Sequence, residues 1–321
     1  MKGLKNIKAR ITESAIVTRI DRWSKNSTLP GFRRISLHDV IKKTIEQVED
    51  DDIWERTSAI SYNFAMAFPP AIIFLFTLIP HMPISQSFIN EMYAIIIDII
   101  PGPRNYTAII DFLNDFLKNP RNDLLSVGFL LSLFFTSNAI IGVMRSFDKS
   151  LPGFTKRSDF ARRVAAIRIT LVLFLLFIVC IALIIAREVV LQWLGIENQV
   201  VIFFVSNLRW VLIIALFFIT VAYIYRAVPS IDKKWKLITP GSIVATVLMM
   251  VCAIGFSWWV SNFASYNKLY GSISTLIILM VLIYLVSLSL LIGYELNVSI
   301  YTLAKRRGDE TTGITTEDVV V

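Results

Sequence analysis

Six apolar runs, separated by connectors whose positive charge alternates between heavy and light, constrain this chain more than any other feature of its sequence. A helix needs about 20 residues to cross roughly 30 Å of hydrocarbon, and runs of that length lie near 57–79, 124–144, 166–186, 203–226, 239–260 and 273–294. Backbone polar groups find no water in that layer, so each run is expected to be a helix. Lys and Arg number 25 in the N-terminal segment, 145–165, 226–238 and the tail, against 5 in the three alternate connectors. That bias predicts an even number of spans with both termini cytoplasmic. The expected fold is all-α: a polytopic membrane protein of six transmembrane helices, with amphipathic helices in the N-terminal region and the first outer loop.

Hydrophobic residues make up 55% and charged residues 17%, with a mean hydropathy of +0.64, whereas soluble chains carry about a quarter charged residues. The net charge of +8 would suggest nucleic acid in a soluble protein. Here it sits in short connectors that orient spans, so the expected partners are membrane lipids, anionic headgroups on the cytoplasmic side included, and no nucleic acid. Cys180 and Cys252 lie inside apolar runs and read as small hydrophobes. The N-terminus has scattered charges and no continuous apolar core, so no cleavable signal peptide is expected.

Three regions follow: a cytoplasmic N-terminal region over 1–56, a six-span domain over 57–300, and a polar, disordered cytoplasmic tail over 301–321. In the first, Ser36 and Asp39 have capping-box spacing, and Leu37, Val40, Ile41 and Ile45 share the apolar face of a helix lying on the inner leaflet or under the bundle. The outer loop 80–123 holds two segments of helical spacing divided by Pro101-Gly102-Pro103, too much for a plain connector.

Catalytic constellations are missing from the sequence. His38 and His81 fall on opposite sides of the bilayer under the predicted topology, and no HExxH, Gly-x-Ser-x-Gly, glycine-rich phosphate loop or paired intramembrane aspartate occurs. A non-enzymatic protein without a cofactor is expected. No ionisable group falls at mid-membrane depth, which argues against a proton relay and for a neutral, amphipathic or lipid-like cargo.

Polar residues within the spans supply the candidate sites. In SAISYNFAMAFPPAIIFLF, Pro69 and Pro70 deprive the carbonyls near Ala65 and Met66 of helical partners. Tyr62 and Asn63 lie one to two turns away, and Asn138 in the second span is placed to approach them. A broken-helix binding site of the transporter kind and a packing kink with interhelical amide bonds are both compatible with this pattern. Tyr266, Tyr270 and Ser272 would form the outer mouth of such a cavity. Glu295, with Asn297 beyond it, follows an apolar stretch already long enough to span. This places it at the cytoplasmic rim beside a basic residue of a neighbouring connector, the alternative being that Glu295 and Asn297 face an inward-open cavity. A second candidate, for an anion or lipid headgroup, is the start of the fifth span. There Thr239 caps, Pro240 takes the first helical position, and N–H groups near Gly241 face Lys233, Lys234 and Lys236. Gly241 and Ala245 make a small-xxx-small face for helix packing.

Several blocks together resemble one family. ITPGSIVAT and SWWVSNFASYNKLYGSISTLIILMVLIYLVSLSLLIGYELN are similar to the closing section of the YihY/BrkB family of bacterial inner-membrane proteins. Upstream, Arg56, Ala59 and Tyr62 match its R-x-x-A-x-x-Y opening span, and FFTSNAIIGVMRSFDKSLPGF followed by a basic start to the third span also fits. The resemblance covers about residues 40–300; the Pro69-Pro70 pair departs from the single proline the family pattern implies there. It implies six helices in the bacterial inner membrane and no settled activity. Of the older family labels, ribonuclease BN has no catalytic groups here to support it; virulence factor BrkB names no chemistry. Transport or handling of a lipid or small amphipathic solute is the expected role, with a structural or interaction protein of the envelope as the alternative.

Overall fold

The computed structural model describes residues 24–25, 35–50, 52–78, parts of 89–97, 103–118, 122–148, 155, 157–193, 199–231, 234–262 and 272–312. Eight longer helices among them are α1 (Leu37–Asp50), α2 (Ile53–Leu78), α3 (Pro103–Lys118), α4 (Asn122–Phe147), α5 (Asp159–Trp193), α6 (Gln199–Ala227), α7 (Pro240–Asn262) and α8 (Ser272–Thr312). Five of them, α2, α4, α5, α7 and α8, are long and apolar enough to cross a membrane, and α6 adds a shorter apolar stretch, Val211–Ala227. All six coincide with the predicted runs. They reach beyond them at most ends because a hydropathy window stops at the first polar residues while the backbone ladder does not.

Capping explains several of those ends. The Asp39 N–H donates to Ser36 Oγ at 3.1 Å, starting α1. The Ala161 N–H donates to Ser158 Oγ at 3.3 Å, starting α5. Arg157 closes the last turn of α6 by donating to the carbonyls of Val228 at 2.9 Å and Ala227 at 3.3 Å. Between α1 and α2 the chain turns at Asp52, whose φ of 46° is left-handed. Aspartate tolerates that region and a β-branched residue does not. We therefore expect Asp52→Gly to preserve stability and Asp52→Val to lower it by about 1–2 kcal/mol, read from thermal unfolding in detergent.

The six spans pack in chain order, α2 on α4, α4 on α5, α5 on α6, α6 on α7 and α7 on α8, and α8 returns to α2. The ring is drawn together at the end where α2, α5 and α7 begin and α4 and α6 finish, called here the basic end for the cationic connectors that meet there. Its core takes Ile60 from α2, Phe147 from α4, Ile169 from α5, Tyr225 from α6, Met249 from α7 and Tyr294 from α8. Farther along, side chains such as Leu175, Val211 and Ile254 are exposed, as suits a surface facing lipid.

Helix α1 docks on α8 at the basic end. Val40, Thr44 and Gln47 are buried at helical spacing, Val40 packing with Leu296 and Ile300 of α8 and Gln47 Oε1 accepting from Ser299 Oγ. Of the expected apolar face, Val40 is buried and Leu37 packs against the same cluster, whereas Ile41 and Ile45 are exposed.

Two further expectations change. Helix α2 runs unbroken through Pro69 and Pro70, so the broken-helix reading gives way to a continuous helix. Pro69 is exposed and Pro70 half-buried. The tail expected to be disordered from 301 is instead helical to Thr312, since Val298 and Ile300 keep α8 in the core as it leaves the apolar layer. Residues 313–321 lie outside the described residues.

Candidate functional site

A cavity of about 560 Å³ lies at the basic end between α2, α4 and α5, lined by Glu55, Arg56, Ala59, Asn63, Asn138, Ile141, Gly142, Arg145, Ser146 and Arg163. Two residues expected to form a site, Asn63 and Asn138, come together in it. Tyr62 does not. Successive helical residues point about 100° apart, and Tyr62 is 61% exposed on a different face of α2.

The lining is held by local chemistry. Asn63 Nδ2 donates to the Ala59 carbonyl at 2.7 Å, and its amide fits because the facing residue is Gly142. A Cβ there would stand 2.8 Å from Asn63 Nδ2. Arg163 Nη1 donates to Asn138 Oδ1 at 2.7 Å and to Ser137 Oγ at 3.3 Å. Its guanidinium carbon lies 5.6 Å from the centre of the Phe134 ring. Arg145 is exposed on the last turn of α4.

Arg56 and Glu295 form the wall behind this cavity. Glu295 is fully buried, and Arg56 Nη1 donates to its Oε1 at 2.8 Å. Arg56 Nη2 also donates to the Ser146 carbonyl. One guanidinium thus ties α2, α4 and α8 together. Glu295 is thus buried among the helices at the basic end, and its basic partner, Arg56, stands near the start of α2. Around it, Tyr294 stacks on Phe147 at 3.9 Å and donates to the Phe147 carbonyl, while Tyr225 Oη donates to the Leu290 carbonyl at 2.6 Å.

The second candidate also changes role. Asn297 Oδ1 accepts from the Gly241 N–H at 2.9 Å and Asn297 Nδ2 donates to Thr239 Oγ1 at 3.0 Å. Thr239 Oγ1 accepts from the Ser242 N–H at 3.1 Å, and Ser242 Oγ accepts from the Thr239 N–H at 3.1 Å. The donors proposed for an anion at Thr239 and Gly241 are therefore satisfied within the protein. Lys234 and Lys236 are exposed nearby, and Lys233 lies outside the described residues. Of the predicted outer mouth, Tyr266 and Tyr270 also lie outside them, and Ser272 is the first residue of α8.

In sequence, Arg145 and Arg163 are indistinguishable from the other charges of the 145–165 connector. The available signal was their offset: Arg145 lies seven residues after Asn138, on the same helical face. A second, apolar hollow of about 320 Å³ lies between α7 and α8, lined by Cys252, Gly255, Phe256, Trp259, Val281 and Leu285.

These helices define an all-α membrane protein whose spans border an open polar cavity at one end. The chain belongs to the family described as Virulence factor BrkB, which it matches over residues 44–314. It is similar to the putative ribonuclease-like protein YfkH of Bacillus subtilis, with 25% identity over 282 residues, 85% of this chain and 94% of that one. A UPF0761 membrane protein of Stenotrophomonas maltophilia is 24% identical over 264 residues, 78% of this chain and 58% of its own length. One from Xanthomonas campestris is 37% identical over 79 residues, 25% of this chain and 19% of that one. The chain thus spans less than two thirds of these two UPF0761 relatives. No solved structure matches it.

Proposed function

We propose that the protein handles a lipid or small amphipathic solute at the α2–α4–α5 cavity, in a bacterial inner membrane with the basic end toward the cytoplasm, and that it does so without catalysing a reaction. The ribonuclease-like name belongs to YfkH; in this chain it is the cavity that supports a binding role.

The observation that carries it is a change of character along two helix faces. On α4, Arg145, Gly142 and Asn138 line the cavity, and the same face continues through exposed Phe134, Leu131 and Val127. On α2, Arg56, Ala59 and Asn63 are followed by exposed Met66 and then Ile73. At 1.5 Å per residue, each apolar continuation is about 15 Å long, half the hydrocarbon thickness. Phe74, Phe129 and Phe174 then draw α2, α4 and α5 together, with ring centres 5.4–6.1 Å apart. A molecule with a polar head and an apolar tail matches this gradient.

The test is movement of a fluorescent short-chain phospholipid across proteoliposome membranes. Flux above that of empty liposomes is expected, reduced roughly three- to tenfold in Asn63→Leu, the range for losing one neutral hydrogen bond at about 0.5–1.5 kcal/mol. Flux indistinguishable from empty liposomes, with no lipid retained by the purified protein, would remove the reading.

A further inference from the structure

We infer that the ligand of this cavity is anionic and is held by Arg145 and Arg163 through a phosphate-type group; the inference rests on the amphiphile reading above. The charges around the cavity do not balance. Arg56 is neutralised by Glu295 at 2.8 Å. Arg163 has only neutral partners among the described residues: the Asn138 and Ser137 oxygens and the face of Phe134. Arg145 has no ion-pair partner among the described residues, and the remaining carboxylate of the lining, Glu55, is exposed on the first turn of α2. Two uncompensated guanidiniums therefore face one solvated carboxylate.

A structural arginine is normally paired with a carboxylate or used up on carbonyls, as Arg56 and Arg157 are here. Arg163 is different. Its Nη1 is fixed by two oxygens while its charge stays unmatched, a pre-set fork of the kind that takes a phosphate or carboxylate bidentately. Basic pockets between spans at the inner membrane surface recognise anionic headgroups in this way. The volume of about 560 Å³ leaves room for a headgroup beyond the phosphate itself, and the apolar faces above it leave room for a chain.

The experiment uses the full-length protein in detergent and titrates dihexanoyl phosphatidylglycerol, dihexanoyl phosphatidylcholine and glycerol 3-phosphate, read by tryptophan fluorescence. Phosphatidylglycerol is expected to bind at least tenfold more tightly than phosphatidylcholine, weakening about tenfold in Arg145→Gln. In Arg163→Lys, which keeps the charge but loses the fork, it should weaken severalfold. Arg145 is exposed, so its variant should retain the parent melting temperature. That readout separates lost binding from lost folding. Equal binding of the two lipids, unaffected by either substitution, would overturn the anion inference and leave the amphiphile reading standing. Glycerol 3-phosphate binding as tightly as phosphatidylglycerol would support the anion site and overturn the amphiphile reading. Binding of none of the three would overturn both.

Discussion

Arg56→Ala is expected to destabilise the protein by roughly 3–5 kcal/mol, because it strands a buried carboxylate whose charge has been removed from water. Glu295 is 0% exposed and Arg56 18%, so little solvent is available to replace the lost guanidinium. The same substitution also frees the Ser146 carbonyl that Arg56 Nη2 holds, loosening α4 from α2 and α8 at once. The informative comparison is the double variant Arg56→Met with Glu295→Leu. Removing both charges in favour of apolar groups of similar length should recover most of the loss. Unfolding in a denaturing detergent, followed by tryptophan fluorescence, measures all three proteins. If the single variant unfolded within about 0.5 kcal/mol of the parent, an amount usual for surface changes, the pair could not be the clamp described here.

That clamp also shows which information the sequence carried. The spans were legible because hydropathy and charge alternation are properties of single segments, and α2, α4 to α8 appear where the runs predict them. The capping of α1 by Ser36 and of α7 by Thr239 was legible for the same reason, since a cap involves residues three apart. What was not legible was pairing between segments. Glu295 and Arg56 lie 239 positions apart, and hydropathy alone does not say which side chain a carboxylate at the end of an apolar run will meet. Asn297 was read as part of a cavity when it is the second half of the α7 cap. The two arginines of the proposed headgroup site were visible only as part of a loop count. Asn63 and Asn138 were found because an amide inside an apolar helix is unusual in one segment taken alone, and the structure brings them to one cavity. Tyr62 was missed in direction because adjacent residues on a helix diverge.

The closing block of the family resemblance, Gly293-Tyr294-Glu295-Leu296-Asn297, gains a physical reading from these contacts. The five residues meet four neighbouring helices: Gly293 meets α7, Tyr294 stacks on Phe147 of α4, Glu295 pairs with Arg56 of α2, Leu296 packs under α1, and Asn297 caps α7. A single turn and a half of α8 therefore closes the ring at the basic end. The cavity beside it owes its shape to this closure, because Arg56 and Ser146 belong to both.

Gly293→Ala should be as damaging as Arg56→Ala, by sterics in place of charge. A Cβ at Gly293 would stand 2.5 Å from the Gly241 carbonyl oxygen, 2.5 Å from Tyr225 Oη and 2.7 Å from the Ala245 Cβ. The first of these is backbone and cannot rotate away, so α7 and α8 must separate. This is the small-xxx-small face of Gly241 and Ala245 seen from its partner, and separation would also pull Asn297 from the Gly241 N–H. Overpacking at a site without flexible neighbours falls at the upper end of its usual range, about 3 kcal/mol. The matched control is Gly255→Ala on α7, where an added Cβ meets nothing within 4 Å. There alanine should be neutral or gain up to about 1 kcal/mol from helix propensity. Melting temperatures of the two variants in one detergent decide it: a fall in Gly293→Ala against no fall in Gly255→Ala is expected. Equal melting temperatures for the two would mean that α7 and α8 do not cross at Gly241 and Gly293, and the closure built on that crossing would fail with it.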